Sequence, residues 1–251
     1  MNADHARRRV LLCASGSVAT IKVPEIAVRL SETADVCVVL TKAADFFLQR
    51  AKDYNAPAWA EFHAATQLPD GQQGKISVVR DENEWEAWNV VGDSVRHIEV
   101  RSVAEKTLRF VADAVCAFEQ LKDWADVMLL APMSANTLGK LANGLADNLL
   151  VSVGVLGSPF IFAPAMNTDM WNHPITAKQL RVLEELGYLM VPPVEKKLAC
   201  GVVGRFGYCA FSIHSYENVS DDFAVGNGGL ATVDSIVDFT LKQLRHLSLS
   251  E

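Results

Sequence analysis

The sequence predicts an α/β fold, a doubly wound parallel sheet, in a single domain covering residues 1–251. Short apolar runs alternate with segments of helical periodicity, the pattern of linked βαβ units. Two runs, "DVMLLAPM" (126–133) and "PFIFAPAM" (159–166), are apolar throughout, as central strands covered on both faces must be. The chain has 251 residues, 50% of them hydrophobic and 21% charged, which suits one sizeable core better than two small ones.

Each element follows from its local pattern. Residues 9–15, "RVLLCAS", form the first strand, bounded by Gly16. "ATIKVPEIAVRLSE" (19–32) carries Ile21, Ile26, Ala27 and Leu30 at helical spacing. A second strand, "ADVCVVLTK" (34–42), precedes residues 53–73, where Pro57, Pro69 and Gly71 predict a loop. "GKISVVRD" (74–81) reads as a short strand. Residues 101–123 read as a long helix with Val103, Leu108, Val111, Val115, Phe118 and Leu121 near one face. Ser134 is suited to cap the helix after the run at 126–133. A helix over 177–187 ends on Gly187 and passes to the strand "YLMVPP" (188–193). Residues 202–224 are polar and predict a mobile loop, and Thr232 is placed to cap a last helix, 232–247.

Charge and cysteine usage narrow the class. A net charge of −7 argues against a nucleic-acid or anionic-membrane surface, because both need clustered Lys and Arg. Cys13, Cys37, Cys116, Cys200 and Cys209 form no C-x-x-C pair. With no signal-peptide pattern present, they fit reduced thiols of a cytoplasmic protein. No apolar segment approaches the roughly 20 residues that cross a bilayer. A soluble protein is expected.

In doubly wound sheets, ligands bind beyond the carboxyl ends of the strands. Those ends read "ASGSVA", "LTKAAD", "APMSANT" and "APAMNTDMW", all rich in hydroxyls and amides. Gly16-Ser17-Val18 is a short glycine turn onto a helix, a geometry that presents backbone N–H groups to a phosphate. It is not G-x-G-x-x-G, so the dinucleotide fingerprint is absent. Thr41 adds a second such end, and Ser134, Asn136 and Thr137 a third. Their convergence suits a phosphorylated, planar cofactor rather than NAD, although a tight turn or a helix cap explains each one singly. His97, in "GDSVRHIEV", is by itself as readily a structural histidine as a catalyst. Cys200, in "VEKKLACGVVG", has Lys196 and Lys197 nearby to favour a thiolate and Gly201 to admit a ligand; otherwise it is a small hydrophobe.

Taken together, "ASGSVA", "EWEAWNVVGDSVRHIEV", "WADVMLLAPMSANTLGKLANGLADNLL", "FAPAMNTDMWNHP" and "KKLACG" resemble the flavin-dependent cysteine decarboxylase family, in order and over most of the chain. P-x-M-N-x-x-M-W is a specific signature, reinforced by "SANTL" and "ACG". The resemblance implies a Rossmann-like (flavodoxin-like) fold assembled as a homotrimer, with FMN and substrate between neighbouring subunits. FMN contacts are implied for Gly16, Ser17 and Val18, for Thr41, Lys42 and Ala43, for Ser134, Ala135, Asn136 and Thr137, and for Ala165. His97 corresponds to the family's active-site histidine, and Asn167 to the residue that binds the substrate carboxylate. Cys200 corresponds to the cysteine that protonates an enethiolate intermediate, on a flap that closes over substrate. Lys197, Ala199 and Leu230 take further substrate-contact places.

The implied reaction is oxidative decarboxylation of 4′-phosphopantothenoylcysteine to 4′-phosphopantetheine in coenzyme A synthesis. Loss of CO2 from a cysteine carboxylate leaves a carbanion without an electron sink. A flavin meets that need by oxidising the thiol to a thioaldehyde, which sits β to the carboxylate and accepts the pair. Reduction and protonation of the enethiolate then make the reaction redox-neutral. Asn167 would orient the carboxylate without a cation that stabilises the ground state. Met166, Met170 and Trp171 would wall the site, or simply pack in the core.

The chain departs from the family pattern in two places. An insertion at 101–121, expected to be helical, separates His97 from Trp124. "ACGV" stands where the family has "ACGD", and an insertion at 202–224 enlarges the flap before "VGNGGLAT" (225–232). Two competing functions are a non-catalytic FMN-binding regulator of a partner such as a protein phosphatase, and a peptidyl-cysteine decarboxylase. The presence of His97, Asn167 and Cys200 in one chain, without a long acidic tail, argues against the regulator. The "EWEAWN…HIEV" context argues against the peptide substrate.

Overall fold

The computed structural model describes residues 7–80, 124–154, 159–197 and 225–248; the helix expected at 101–121 and the loop expected at 202–224 lie outside them. Strands β1 (Arg8–Ala14), β2 (Ala34–Leu40), β3 (Ile76–Arg80), β4 (Val127–Met133), β5 (Phe160–Pro164) and β6 (Leu189–Met190) form one sheet, ordered β3-β2-β1-β4-β5-β6. Every neighbouring pair is parallel. Of the two common doubly wound orders, this is the Rossmann one.

Side chains alternate across a strand, so each strand feeds two cores. Val10, Leu12 and Ala14 of β1 pack with Ile26, Phe62 and Ile236 on one face. Leu11 and Cys13 pack with Leu138, Leu150 and Leu183 on the other. The fully buried β4 needs both layers, which explains its unbroken apolar run.

On the first face, a 3-10 turn at Val18–Lys22 leads into α1 (Val23–Ser31), with Pro24 in its first turn. The expected loop at 53–73 is largely wrong. After β2 come α2 (Lys42–Leu48), α3 (Ala51–Tyr54) and α4 (Ala56–Gln67). Pro57 misleads as a breaker because it stands in the first turn of α4, where a missing N–H costs nothing. Asn55 caps that helix, its Oδ1 accepting from Ala58 N at 3.2 Å. The second strand also ends at Leu40, because Thr41 caps α2.

On the second face lie α5 (Ala135–Ala142), α6 (Leu149–Gly154), α7 (Thr168–Asn172) and α8 (Pro174–Glu185). Helix α8 begins ahead of the expected residue 177 and stops before Gly187, whose φ of 84° only glycine adopts freely. Thr232 caps α9 (Val233–Ser248) by accepting from Ser235 N at 3.1 Å. Of "YLMVPP", only Leu189–Met190 is strand. Beyond it, β7 (Val194–Lys197) pairs antiparallel with β8 (Val225–Gly229) as a separate ribbon, and β8 packs against α7.

The amino-terminal edge of the sheet is closed by side chains. Arg7 donates to Asp35 Oδ1 at 2.9 Å and to the carbonyls of Ser31 and Ala34 at 2.7 and 2.8 Å. Asp126 Oδ2 accepts from Arg9 N at 2.7 Å. The carboxyl edge is left for chemistry. Among the described residues, no helix is long and apolar enough to cross a membrane.

Candidate active site

The strand order reverses between β1 and β4, and the crevice of a doubly wound sheet opens at such a point. Ser15, only 1% exposed, joins the two strand ends. Its hydroxyl donates to Pro132 O at 3.0 Å and accepts from Ser134 N at 2.8 Å. Its backbone N donates to the same Pro132 carbonyl at 3.1 Å, and Thr20 Oγ1 closes the turn on Ser15 O at 3.1 Å. Sequence reasoning passed over Ser15 in favour of Gly16, Ser17 and Val18. The available signal was a hydroxyl ending an apolar strand, since a buried hydroxyl must find partners.

Gly16 follows, so close to α2 that a Cβ there would lie 2.5 Å from Ala43 Cβ. No other residue fits this approach without displacing the helix. Thr41 N donates to Ala14 O at 3.2 Å while its Oγ1 accepts from Ala44 N at 3.2 Å. Lys42 and Ala43, both exposed, are thereby fixed beside the glycine turn. Ser134 caps α5, accepting from Thr137 N at 3.3 Å, and its Oγ lies 3.2 Å from Thr137 Oγ1. Asn136 is exposed on the same first turn. From β5, Ala165 N donates to Met133 O at 2.9 Å, and Ser17 Oγ donates to Ala165 O at 3.4 Å. Four segments that the sequence singled out thus share one edge. The capping roles of Ser17, Thr41 and Ser134 are also real, so the plainer reading of each holds alongside the convergence.

Asn167 caps α7: its Oδ1 accepts from Met170 N at 2.8 Å. That bond commits the oxygen and turns the two Nδ2 protons away from the helix, so the side chain offers donors. Met166 is 9% exposed, and Trp171 packs on the same core cluster. Met170 is 50% exposed and joins neither the core nor this wall. Leu230, expected to touch substrate, is 2% exposed and packs in the opposite core with Ile236, so its side chain is spent on the fold. Lys197 ends β7, and its side chain lies outside the described residues, as do His97, Ala199 and Cys200. Strand β8, the partner of β7 in the ribbon, lies against the helix that Asn167 caps.

Cys13 and Cys37 offer no competing nucleophile. Burial pushes both thiols up, Cys37 to about 12, and holds them protonated.

A Rossmann-ordered sheet whose switch point carries hydroxyls, amides and a close glycine turn, without the dinucleotide fingerprint, is the scaffold of a mononucleotide-binding protein. A family model described as Flavoprotein matches residues 1–245, and the chain belongs to that family. It is 41% identical over 207 residues to the phosphopantothenoylcysteine decarboxylase HAL3 of Malus domestica, covering 81% of this chain and 78% of that one. It is 36% identical over 206 residues to the Mus musculus phosphopantothenoylcysteine decarboxylase, covering 80% of each. Among solved structures, a Cys-to-Ser mutant of PPC decarboxylase complexed with pantothenoylaminoethenethiol aligns with a TM-score of 0.64 and 33% identity, over 95% of this chain and 99% of that one. The FMN binding protein AtHal3 aligns with a TM-score of 0.63 and 34% identity, over 96% and 98%.

Proposed function

We infer that this chain is an FMN-dependent phosphopantothenoylcysteine decarboxylase, a carboxy-lyase that converts 4′-phosphopantothenoylcysteine to 4′-phosphopantetheine in coenzyme A synthesis. The observation that carries this reading is Asn167, a helix-capping amide whose Nδ2 donors are left open just past a strand end that also gathers the hydroxyl-rich turns, in a chain similar over most of its length to decarboxylases of that name.

The residues present fit the cofactor. Backbone N–H groups at Gly16, Ser17 and Val18 and at Ala135 and Asn136, with Thr137 and the ammonium of Lys42, suit a phosphate monoester and the polar rim of a heterocycle. Thr41, Ala43, Ser134 and Ala165 complete that set through their backbones and caps. When bound, FMN would supply the two-electron oxidation of the substrate thiol that makes CO2 loss possible and would return the same two electrons afterwards, so the product is again a thiol.

The protein's own contribution is placement and proton handling. Asn167 donates to the departing carboxylate, and its neutrality avoids stabilising the ground state as a cation would. Met166 and Trp171 keep water from that carboxylate. Cys200 gives its thiol proton to the carbon that lost CO2: the S–H bond breaks, a C–H bond forms, and a thiolate remains on the flap. His97, Lys197 and Ala199 complete the substrate side. Leu230 is left to contribute through its backbone. The resemblance supports a homotrimer with sites between subunits, and scattered thiols without a C-x-x-C pair support a cytoplasmic setting.

The test is an absorbance spectrum of the purified protein followed by turnover. A yellow protein that releases CO2 from 4′-phosphopantothenoylcysteine is expected, and Cys200→Ser should keep the colour while failing to form 4′-phosphopantetheine. A protein that takes up no FMN, or takes it up and releases no CO2, overturns the assignment.

A further inference from the structure

We propose that Thr176 is a positioning residue for the substrate carboxylate, acting on Asn167 through Met170. The proposal rests on the reading above that Asn167 meets that carboxylate. An asparagine amide can present either its oxygen or its nitrogen, and the two differ little in shape. Here the choice is made by one bond, from Met170 N to Asn167 Oδ1 at 2.8 Å. Helix α7, which supplies that N–H, is five residues long, has no fully buried side chain, and touches the core through the partly buried Trp171. A single turn of helix is not stable by itself. Something outside it must hold it.

Thr176 does so. It is 3% exposed on the first turn of α8, and its Oγ1 donates to Met170 O at 2.5 Å. The same carbonyl receives only a longer bond from His173 N, at 3.4 Å. Helix α8 does not need this hydroxyl as a cap, because His173 Nδ1 already accepts from Ile175 N at 3.2 Å. Thr176 is itself anchored, donating from its backbone N to His173 O at 2.9 Å, on a helix rooted in the core through the fully buried Leu183. Met170 is therefore gripped at both ends, its carbonyl by Thr176 and its N–H by Asn167. Removing the hydroxyl leaves the last turn of α7 loosely held, and the amide of Asn167 free to turn its oxygen toward the carboxylate.

The test compares wild type, Thr176→Val, Thr176→Ser and Asn167→Ala in the FMN-loaded enzyme. Thr176→Val keeps the volume and loses the hydroxyl. It should retain the flavin spectrum, raise KM for 4′-phosphopantothenoylcysteine about tenfold, and leave inhibition by 4′-phosphopantetheine, which has no carboxylate, unchanged. Thr176→Ser should restore the wild-type KM. The proposal is overturned if Thr176→Val matches wild type while Asn167→Ala loses substrate, or if substrate and product weaken together. If Thr176→Val does not fold, Thr176→Ser decides alone: a wild-type KM supports the hydroxyl, and a raised one assigns the role to packing. An unchanged KM in Asn167→Ala instead removes the reading of Asn167, and the relay with it.

Discussion

Replacing Asn167 by Asp keeps an oxygen on Met170 N, and so keeps the cap of α7, but puts a negative charge where the donors stood. Replacing it by Ala loses cap and donors alike without adding repulsion. If Asn167 served only as a cap, Ala would be the more damaging change. With a carboxylate as its partner, the order reverses. Asn167→Asp should lower kcat/KM by about 100-fold or more, since a charge-assisted hydrogen bond worth about 1.5–3 kcal/mol is replaced by repulsion. Asn167→Ala should lose less, and steady-state kinetics on both variants read the order directly. The buried thiols give a second residue-level expectation. Burial raises Cys13 and Cys37 in the folded chain, so on unfolding each thiol is freed to lose its proton from about pH 9 upward. The unfolded chain then binds fewer protons than the folded one, and stability falls as pH rises from there toward about 12. Denaturant melts at pH 8 and pH 10.5 should show the fall, by at most about 1.4 kcal/mol per pH unit for each thiol. Cys37→Ala should reduce the slope.

Among the elements, the turn after β1 and the start of α2 are set by close contact as well as by hydrogen bonds. Gly16→Ala drives a methyl into Ala43 Cβ, and overpacking of this kind costs about 1–3 kcal/mol. Thermal melts should show the loss, and absorbance after desalting should show weakened flavin retention. The double variant Gly16→Ala with Ala43→Gly should recover both. The sheet itself was legible in the sequence, because a strand buried on both faces leaves an unbroken apolar run and little else can. The stretch from 42 to 67 was not. Pro57 has opposite meanings inside a helix and at its start, and only the cap at Asn55 tells them apart. The β7–β8 ribbon was opaque for another reason: "VEKK" and "VGNGG" carry no apolar alternation to read. At the site, hydroxyls and amides at strand ends were visible as a class. That Asn167 caps α7, and which half of its amide stays free, depends on a one-turn helix with no periodicity of its own.

For the molecule as a whole, the two edges of the sheet divide the labour. Arg7, Arg8, Asp35 and Asp126 close one edge with charge, while the other gathers Ser15, Gly16, Ser134 and Ala165. Met170 and Ile175, 50% and 47% exposed, leave apolar surface open at the end of α7 and the start of α8, which suits the homotrimer proposed above. Sedimentation should give a particle of three times the 27.4 kDa chain mass, and activity per chain should fall on dilution below the dissociation range. The clasp at Ser15 also bears on the order in which the molecule comes into being. Its partners Pro132 and Ser134 stand 117 and 119 residues away along the chain, so no early, local structure can create it. Contacts across such separations form late, once the loop between them has closed. A refolding chain should regain helical circular dichroism first and quench added flavin only afterwards. The cofactor is then a passenger that boards a finished sheet, not a template around which the sheet is laid.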